Sequence, residues 1–267
     1  MVIKEITIDN SGIPIYCRQY CGNPFAKETV AMVHGLSTDS GFFDETAKEL
    51  SRAFRVVVYD RRGYGRTPSP KDDDYSPKAQ ASDIAAILAA SGTPCHLVGH
   101  SAGSIITFEL AFRQPRMISS IIAFEPPIGD SLPRDSEFRS ALVNVRQHMA
   151  NNGIKGMPSQ GMFGTRDDRA RSRALEDNQF AASNYKNGTE NDATALMPYV
   201  PHYKELSRID VTIGSGDMSR HTMMEAMSKA LANRLGCRFA YFPGSHNCPF
   251  DLPRDFASMI AGILACK

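Results

Sequence analysis

The sequence predicts an α/β fold: a mostly parallel sheet with helices on both faces. Three observations carry this. Short apolar runs of strand length alternate with helix-length periodic segments. The connecting turns are rich in glycine, and one of them, Gly99-His100-Ser101-Ala102-Gly103, leads from an apolar strand directly into a helix. The strands are near-continuous apolar runs, as strands covered on both faces should be.

In order, two strands are expected over about 2–8 and 13–21, joined by Asn10-Ser11-Gly12, a turn suited to a hairpin. Residues 29–34 are a short apolar run stopped by Gly35, 40–52 carry helical periodicity, and 54–59 form another buried-type strand before the Gly-rich loop 60–67. A helix over 76–91 presents Ile84, Ile87 and Leu88 and ends at Gly92-Thr93-Pro94. Then come a strand at 95–98, the turn 99–103, a helix over 104–113 and a strand at 118–124 that Pro126-Pro127 breaks. For roughly 80 residues the alternation stops, which is long for a connection. It resumes with a strand at 211–213, a helix near 220–235, a strand near 237–242 and a final helix near 253–264. Residues 1–126 and 208–267 are therefore expected to form the core and 127–207 an inserted helical lid. That lid would lie over the carboxyl ends of the strands, where open α/β sheets bind ligands.

The chain has 267 residues, enough for one large domain with such an insertion. Its 30 Lys+Arg nearly balance 29 Asp+Glu, so no nucleic-acid partner is expected. The densest basic stretch, 166–173, is interrupted by Asp167 and Asp168 and reads as a solvated helix face. The first residues alternate and carry charge like a strand rather than a signal peptide, and no apolar run is long enough to span a membrane; a cytoplasmic protein is expected. Cys17 and Cys21 share a strand and would stand roughly 13 Å apart, too far for a disulfide. With Cys95, Cys237, Cys248 and Cys266 they read as free thiols, and no spacing suggests a zinc site.

Gly99-His-Ser-Ala-Gly103 matches G-x-S-x-G in its strand-to-helix setting. So tight a turn strains the backbone at Ser101 and holds its hydroxyl at the top of the sheet, while the helix N-terminus offers amides to a developing oxyanion. His100 at this turn reads as a packing residue. At this point the chain resembles the α/β-hydrolase superfamily along nearly its whole length, which implies the α/β-hydrolase fold with a helical lid inserted after strand six. His34-Gly-Leu-Ser37 resembles that family's oxyanion loop, and 60–65 its Gly turn after the fourth strand. By matching position the resemblance assigns the two oxyanion donors to the backbone amides of Ala102 and Leu36. His34 reads as a brace for its own loop.

A serine hydroxyl needs an adjacent base. Of seven histidines, His246 in Phe242-Pro-Gly-Ser-His-Asn247 lies between the last strand and the final helix, and the order Ser, acid, His is the one this fold uses. For the acid, Glu125 and Asp217 compete. Glu125 ends a strand so apolar that an unpaired carboxylate there would be costly. Phe124-Glu-Pro-Pro127 and Tyr241-Phe-Pro-Gly-Ser-His246 also resemble the zearalenone-type lactonase branch, in which the acid is a Glu after strand six. Asp217, after the seventh strand, holds the superfamily's usual position when counted from Gly214; counted back from Gly236, Ser219 falls there. Glu125 is preferred, with Asp217 as the alternative.

Ser, His, carboxylate and an oxyanion hole amount to acyl transfer to water, with no metal or organic cofactor required. The expected substrate is a small apolar ester or a lactone. Met157, Met162, Phe163, Met197 and Tyr199 would line its pocket or form the lid's own core, and His202 would contact substrate or lie on the surface. The same fold also supports a hormone-type receptor with vestigial hydrolysis, a C–C bond hydrolase and an acyltransferase.

Overall fold

The structure, a computed structural model, describes residues 1–72, 74–92, 94–152 and 178–266, with the side chains of 145–152 outside that description. The hairpin of β1 (Val2–Asn10) and β2 (Ile13–Cys21) opens the chain, Asn10 opposite Ile13. Its turn residues Ser11 and Gly12 have φ of 55° and 85°, the paired positive values that match a two-residue turn to the strand twist. The other strands are β3 (Thr29–Val33), β4 (Arg55–Tyr59), β5 (Cys95–His100), β6 (Ile118–Phe124), β7 (Val211–Gly216) and β8 (Arg238–Phe242). They form one sheet in the order β1-β2-β4-β3-β5-β6-β7-β8. β2 runs antiparallel to β1 and β4, and the rest of the sheet is parallel.

Each central strand divides its side chains between two cores. Ala31, Val57, Leu97 and Ile121 pack on one face with α2 (Pro77–Ser91) and α3 (Gly103–Arg113); Val30, Val56, Val98 and Ile122 pack on the other with α1 (Asp44–Leu50). That two-sided burial is why the strands read as continuous apolar runs. The final helix, expected near 253–264, is Pro253–Ala265 and covers the α1 face through Phe256 and Ile260.

Between β6 and β7 the chain adds the expected helical insertion. Among the described residues it contains α4 (Glu137–Asn152), α5 (Ala181–Asn187), a π-helical turn Gly188–Asp192, α6 (Ala193–Leu196) and α7 (Tyr203–Leu206).

Two helix boundaries move for local reasons. The expected helix 40–52 opens as a 3-10 turn, Ser40–Phe43, because Asp39 caps the Gly41 amide and Asp60 accepts from the Ser40 amide at 2.9 Å. The helix near 220–235 starts at Met223, giving α8 (Met223–Leu235), with Thr222 as its cap. Glu225 in its first turn reaches back to the His221 amide at 2.6 Å and also meets Lys229 and the Tyr241 hydroxyl. Burial pushes the Glu225 carboxyl up, but these partners outweigh it and bring it down to about 2. A depressed folded-state pKa stabilises above the unfolded value and loses that contribution as pH falls through the folded one. The wild-type advantage over Glu225→Gln, read from urea unfolding, should therefore be on the order of 2 kcal/mol near neutrality and close between pH ~4.5 and ~2.

Candidate active site

In the sheet register His100 pairs with Phe124, Phe124 with Gly214, and Gly216 with Phe242. The residues that follow these strand ends, Ser101, Glu125 and the 243–247 loop, therefore gather at one carboxyl edge. Five described non-glycine residues have positive φ, and three of them belong here: Ser37 (60°), Ser101 (52°) and Glu125 (48°). Left-handed backbone costs a non-glycine residue on the order of 1–3 kcal/mol and tends to persist at functional sites.

The glycines flanking Ser101 answer a steric demand. A Cβ on Gly99 would come within 2.6 Å of Ser104 Cα, and one on Gly103 within 2.2 Å of the Val33 carbonyl oxygen. The turn can fold only if α3 starts hard against β5 and β3. That seats Ala102 at the N-terminus of α3, where the first amides have no intrahelical acceptor. A Cβ on Gly35 would in turn lie 3.0 Å from Ser101 Cβ, so the 34–37 loop passes directly beside the serine.

His246 Nδ1 lies 2.6 Å from Glu125 Oε2. The other carboxylate oxygen accepts from the Ser215 hydroxyl at 3.0 Å and the Gly216 amide at 2.9 Å. Glu125 is fully buried, and burial pushes its carboxyl up; the hydrogen bond and charge of His246, with the Gly216 amide, outweigh that and hold it below the usual carboxylate range. Asp217 is exposed, and its Oδ1 accepts from the Gly244 amide at 2.8 Å while Met218 N–H donates to the Gly244 carbonyl at 3.0 Å. It thus clamps the turn two residues before His246. Ser219, the other residue considered at the end of β7, is buried in the same turn.

Two further histidines brace the site. His100 Nε2 donates to the His246 carbonyl at 2.8 Å, and the two rings lie 4.6 Å apart. His34 is buried beneath its loop and bonds the Gly35 carbonyl through Nδ1 at 2.9 Å. Burial holds both imidazoles well below their ordinary pKa, so both are neutral braces.

Of the residues considered for substrate contact, Met157, Met162 and Phe163 lie outside the described residues. Met197 and Tyr199 are half-buried against the core that α3 helps to build, and burial, then the neighbouring Glu109, pushes the Tyr199 hydroxyl up. His202 is exposed and stacks on Phe112 with 3.4 Å between ring centroids. Phe112 is near the far end of α3, roughly 15 Å along the helix from Ser101, so the structure does not bring His202 to that serine. His100 packs at the turn as expected, while Ser215, the Gly216 amide and the Gly244 clamp were not predicted from sequence. Only the small residues crowding the end of β7 hinted that something approaches there.

A sequence model described as "Alpha/beta hydrolase family" matches residues 30–259. The uncharacterized hydrolase YraK of Bacillus subtilis is 24% identical, with 99% of this chain and 97% of that protein covered. The candidate carbamate hydrolase RutD of Variovorax paradoxus is 37% identical over 37% of this chain; the match spans only 38% of that protein's length. Among solved structures, Est816, described as an N-acyl homoserine lactone degrading enzyme, superposes with a TM-score of 0.72 at 21% identity, covering 96% of this chain and 99% of that one. The esterase EaEST from Exiguobacterium antarcticum gives 0.71 at 19%, covering 98% and 99%. At these identities the structural likeness shows the fold. Among the described residues, no helix is long and apolar enough to cross a membrane.

Proposed function

This chain belongs to the alpha/beta hydrolase family, and on that premise we propose that it is a serine hydrolase cleaving a small apolar carboxylic ester or lactone. The observation that carries the reading is the 2.6 Å contact between His246 and Glu125 on the sheet edge that also bears Ser101 in its strained turn.

In this mechanism Ser101 Oγ adds to the substrate carbonyl carbon while His246 takes the hydroxyl proton, and the carbonyl π electrons move onto oxygen. The amides of Ala102 and Leu36 receive that oxyanion. When the tetrahedral adduct collapses, the C–O bond to the leaving alkoxide breaks and His246 returns the proton to it, leaving acyl-Ser101. Water then attacks the acyl carbon by the same steps in reverse roles and releases the acid. Glu125 holds the His246 tautomer with the proton on Nδ1 and stabilises the imidazolium. Asp217 keeps the His246 loop in place.

The substrate class rests on the apolar residues of the insertion and on neighbours described as esterases and a lactone degrader. An acid after strand six also keeps the zearalenone-type lactonase likeness within the proposal. The test is a panel of p-nitrophenyl esters of graded acyl length, lactones and carbamates with purified protein. Multiple turnovers on esters or lactones are expected. A single labelling event at Ser101 with no turnover on any of them would instead favour a receptor. Within the panel, Phe163→Ala should raise KM for long-chain esters more than for acetate, because a ring in contact with substrate contributes about 1.5–3 kcal/mol of apolar burial. Equal effects on both would assign the ring to the lid's own core.

A further inference from the structure

Beneath the 34–37 loop lies a buried ion pair that the steps above do not use. Arg61, in the turn after β4, is 1% exposed, and Asp192, at the end of the insertion's π-helical turn, is fully buried. Arg61 Nη2 donates to Asp192 Oδ2 at 2.7 Å and to the Gly35 carbonyl at 2.7 Å, and Nη1 donates to Gln80 Oε1 at 2.8 Å. Asp192 also accepts from the Tyr64 hydroxyl and from Gln80 Nε2, each at 2.7 Å. A buried ion pair is weak evidence of stabilisation by itself, since desolvating two charges offsets much of their attraction. What calls for a physical account is that the guanidinium is aimed at one backbone carbonyl.

The Gly35 carbonyl and the Leu36 N–H are the two ends of one planar trans peptide. Holding the oxygen from behind directs the N–H the opposite way. Two donors hold it: Arg61, and His34 Nδ1 at 2.9 Å. The His34 tautomer follows from its other nitrogen, Nε2, which accepts the Arg61 backbone N–H at 3.1 Å, so that Nδ1 carries the proton in the neutral ring. A cation on a carbonyl oxygen draws electron density from the amide and strengthens its N–H as a donor. This peptide is also the one whose Gly35 Cα packs against Ser101.

The insertion grips the same loop at two more points. Asn184 Nδ2 donates to Asp39 at 2.9 Å, and Gly188 abuts Ser37 so closely that a Cβ there would lie 2.4 Å from its hydroxyl.

We propose that Arg61 is a positioning residue that aims and polarises the Gly35–Leu36 peptide as an oxyanion donor, and that Asp192 makes this alignment depend on the seating of the insertion's returning half. The inference rests on the serine-hydrolase reading. It makes the lid a part of the oxyanion machinery as well as a cover over the substrate.

The test compares wild type with Arg61→Gln/Asp192→Asn, which removes both charges and keeps a polar side chain at each position. Activity on p-nitrophenyl butyrate is normalised to the fraction of sites titrated by a fluorophosphonate. Butylboronic acid serves as a tetrahedral adduct former, and butyrate as a trigonal ligand. A fall in kcat of roughly 10- to 100-fold is expected, with KM within about twofold. The boronate Ki should weaken in step with kcat, and the butyrate Ki should stay put. A purely structural role would lower Tm while leaving the normalised kcat and the boronate-to-butyrate ratio at wild-type values, and that result overturns the proposal. So would equal weakening of both ligands. Should the double variant fail to fold, Arg61→Met/Asp192→Leu replaces the pair with apolar side chains and carries the same expectations. If wild type itself neither labels nor turns over the ester, the serine-hydrolase reading falls. Labelling and turnover with no change in the variants reject the Arg61 role alone.

Discussion

Ser101→Ala is expected to abolish fluorophosphonate labelling and to lower kcat by roughly 10⁴- to 10⁶-fold, the scale on which a nucleophile acting with its base as one unit is lost. The fold should survive. Ser101 sits at φ 52°, and alanine meets much the same left-handed penalty there as serine, while only one hydroxyl is lost from a buried residue at the sheet edge. Near-UV circular dichroism and a Tm within a few degrees of wild type would establish that. Labelling that persists in the variant would remove Ser101 from the mechanism, whatever happens to turnover.

The second large effect separates the two carboxylates. Glu125→Gln should reduce kcat by about 10⁴-fold, because a side-chain amide can turn an NH₂ toward His246 Nδ1, favour the wrong tautomer and supply no countercharge to the imidazolium. Substrate binding should change little, since Glu125 lies behind the histidine. Asp217→Asn retains the Oδ1 acceptor for the Gly244 amide, so no more than about a tenfold loss is expected. A severe loss at Asp217 with Glu125→Gln nearly intact would reverse the assignment. Comparable intermediate losses would mean that the two carboxylates share the work, one through charge and the other by holding the loop.

Recognising this architecture from sequence depended on local chemistry. Strands buried on both faces must be apolar along their whole length, and two glycines around a serine between strand and helix answer steric demands within five residues. The hairpin turn at Ser11-Gly12 is legible for the same reason. Helix starts were less so. The helix at Met223 and the 3-10 turn at Ser40 begin where they do because Thr222 and Asp39 happen to reach particular amides, and Asp60, 20 residues after Ser40, fixes the second of those turns.

What the sequence determined by itself was therefore whatever a short stretch of chain can enforce: the alternation of elements, the strained serine turn, and a carboxylate too costly to leave unpaired at the end of β6. The tertiary structure decided which groups meet. Glu125 and His246 are 121 residues apart, and only the parallel register of β6, β7 and β8 brings the carboxylate to Nδ1 while turning Asp217 toward Gly244. Arg61 and Asp192 are 131 apart, and their burial together exists only because the insertion folds back onto the turn after β4. Pairing across such distances depends on the geometry of the folded chain: local sequence favoured Glu125 over Asp217 without fixing the contact, and for Arg61 and Asp192 no periodicity or local motif encodes it.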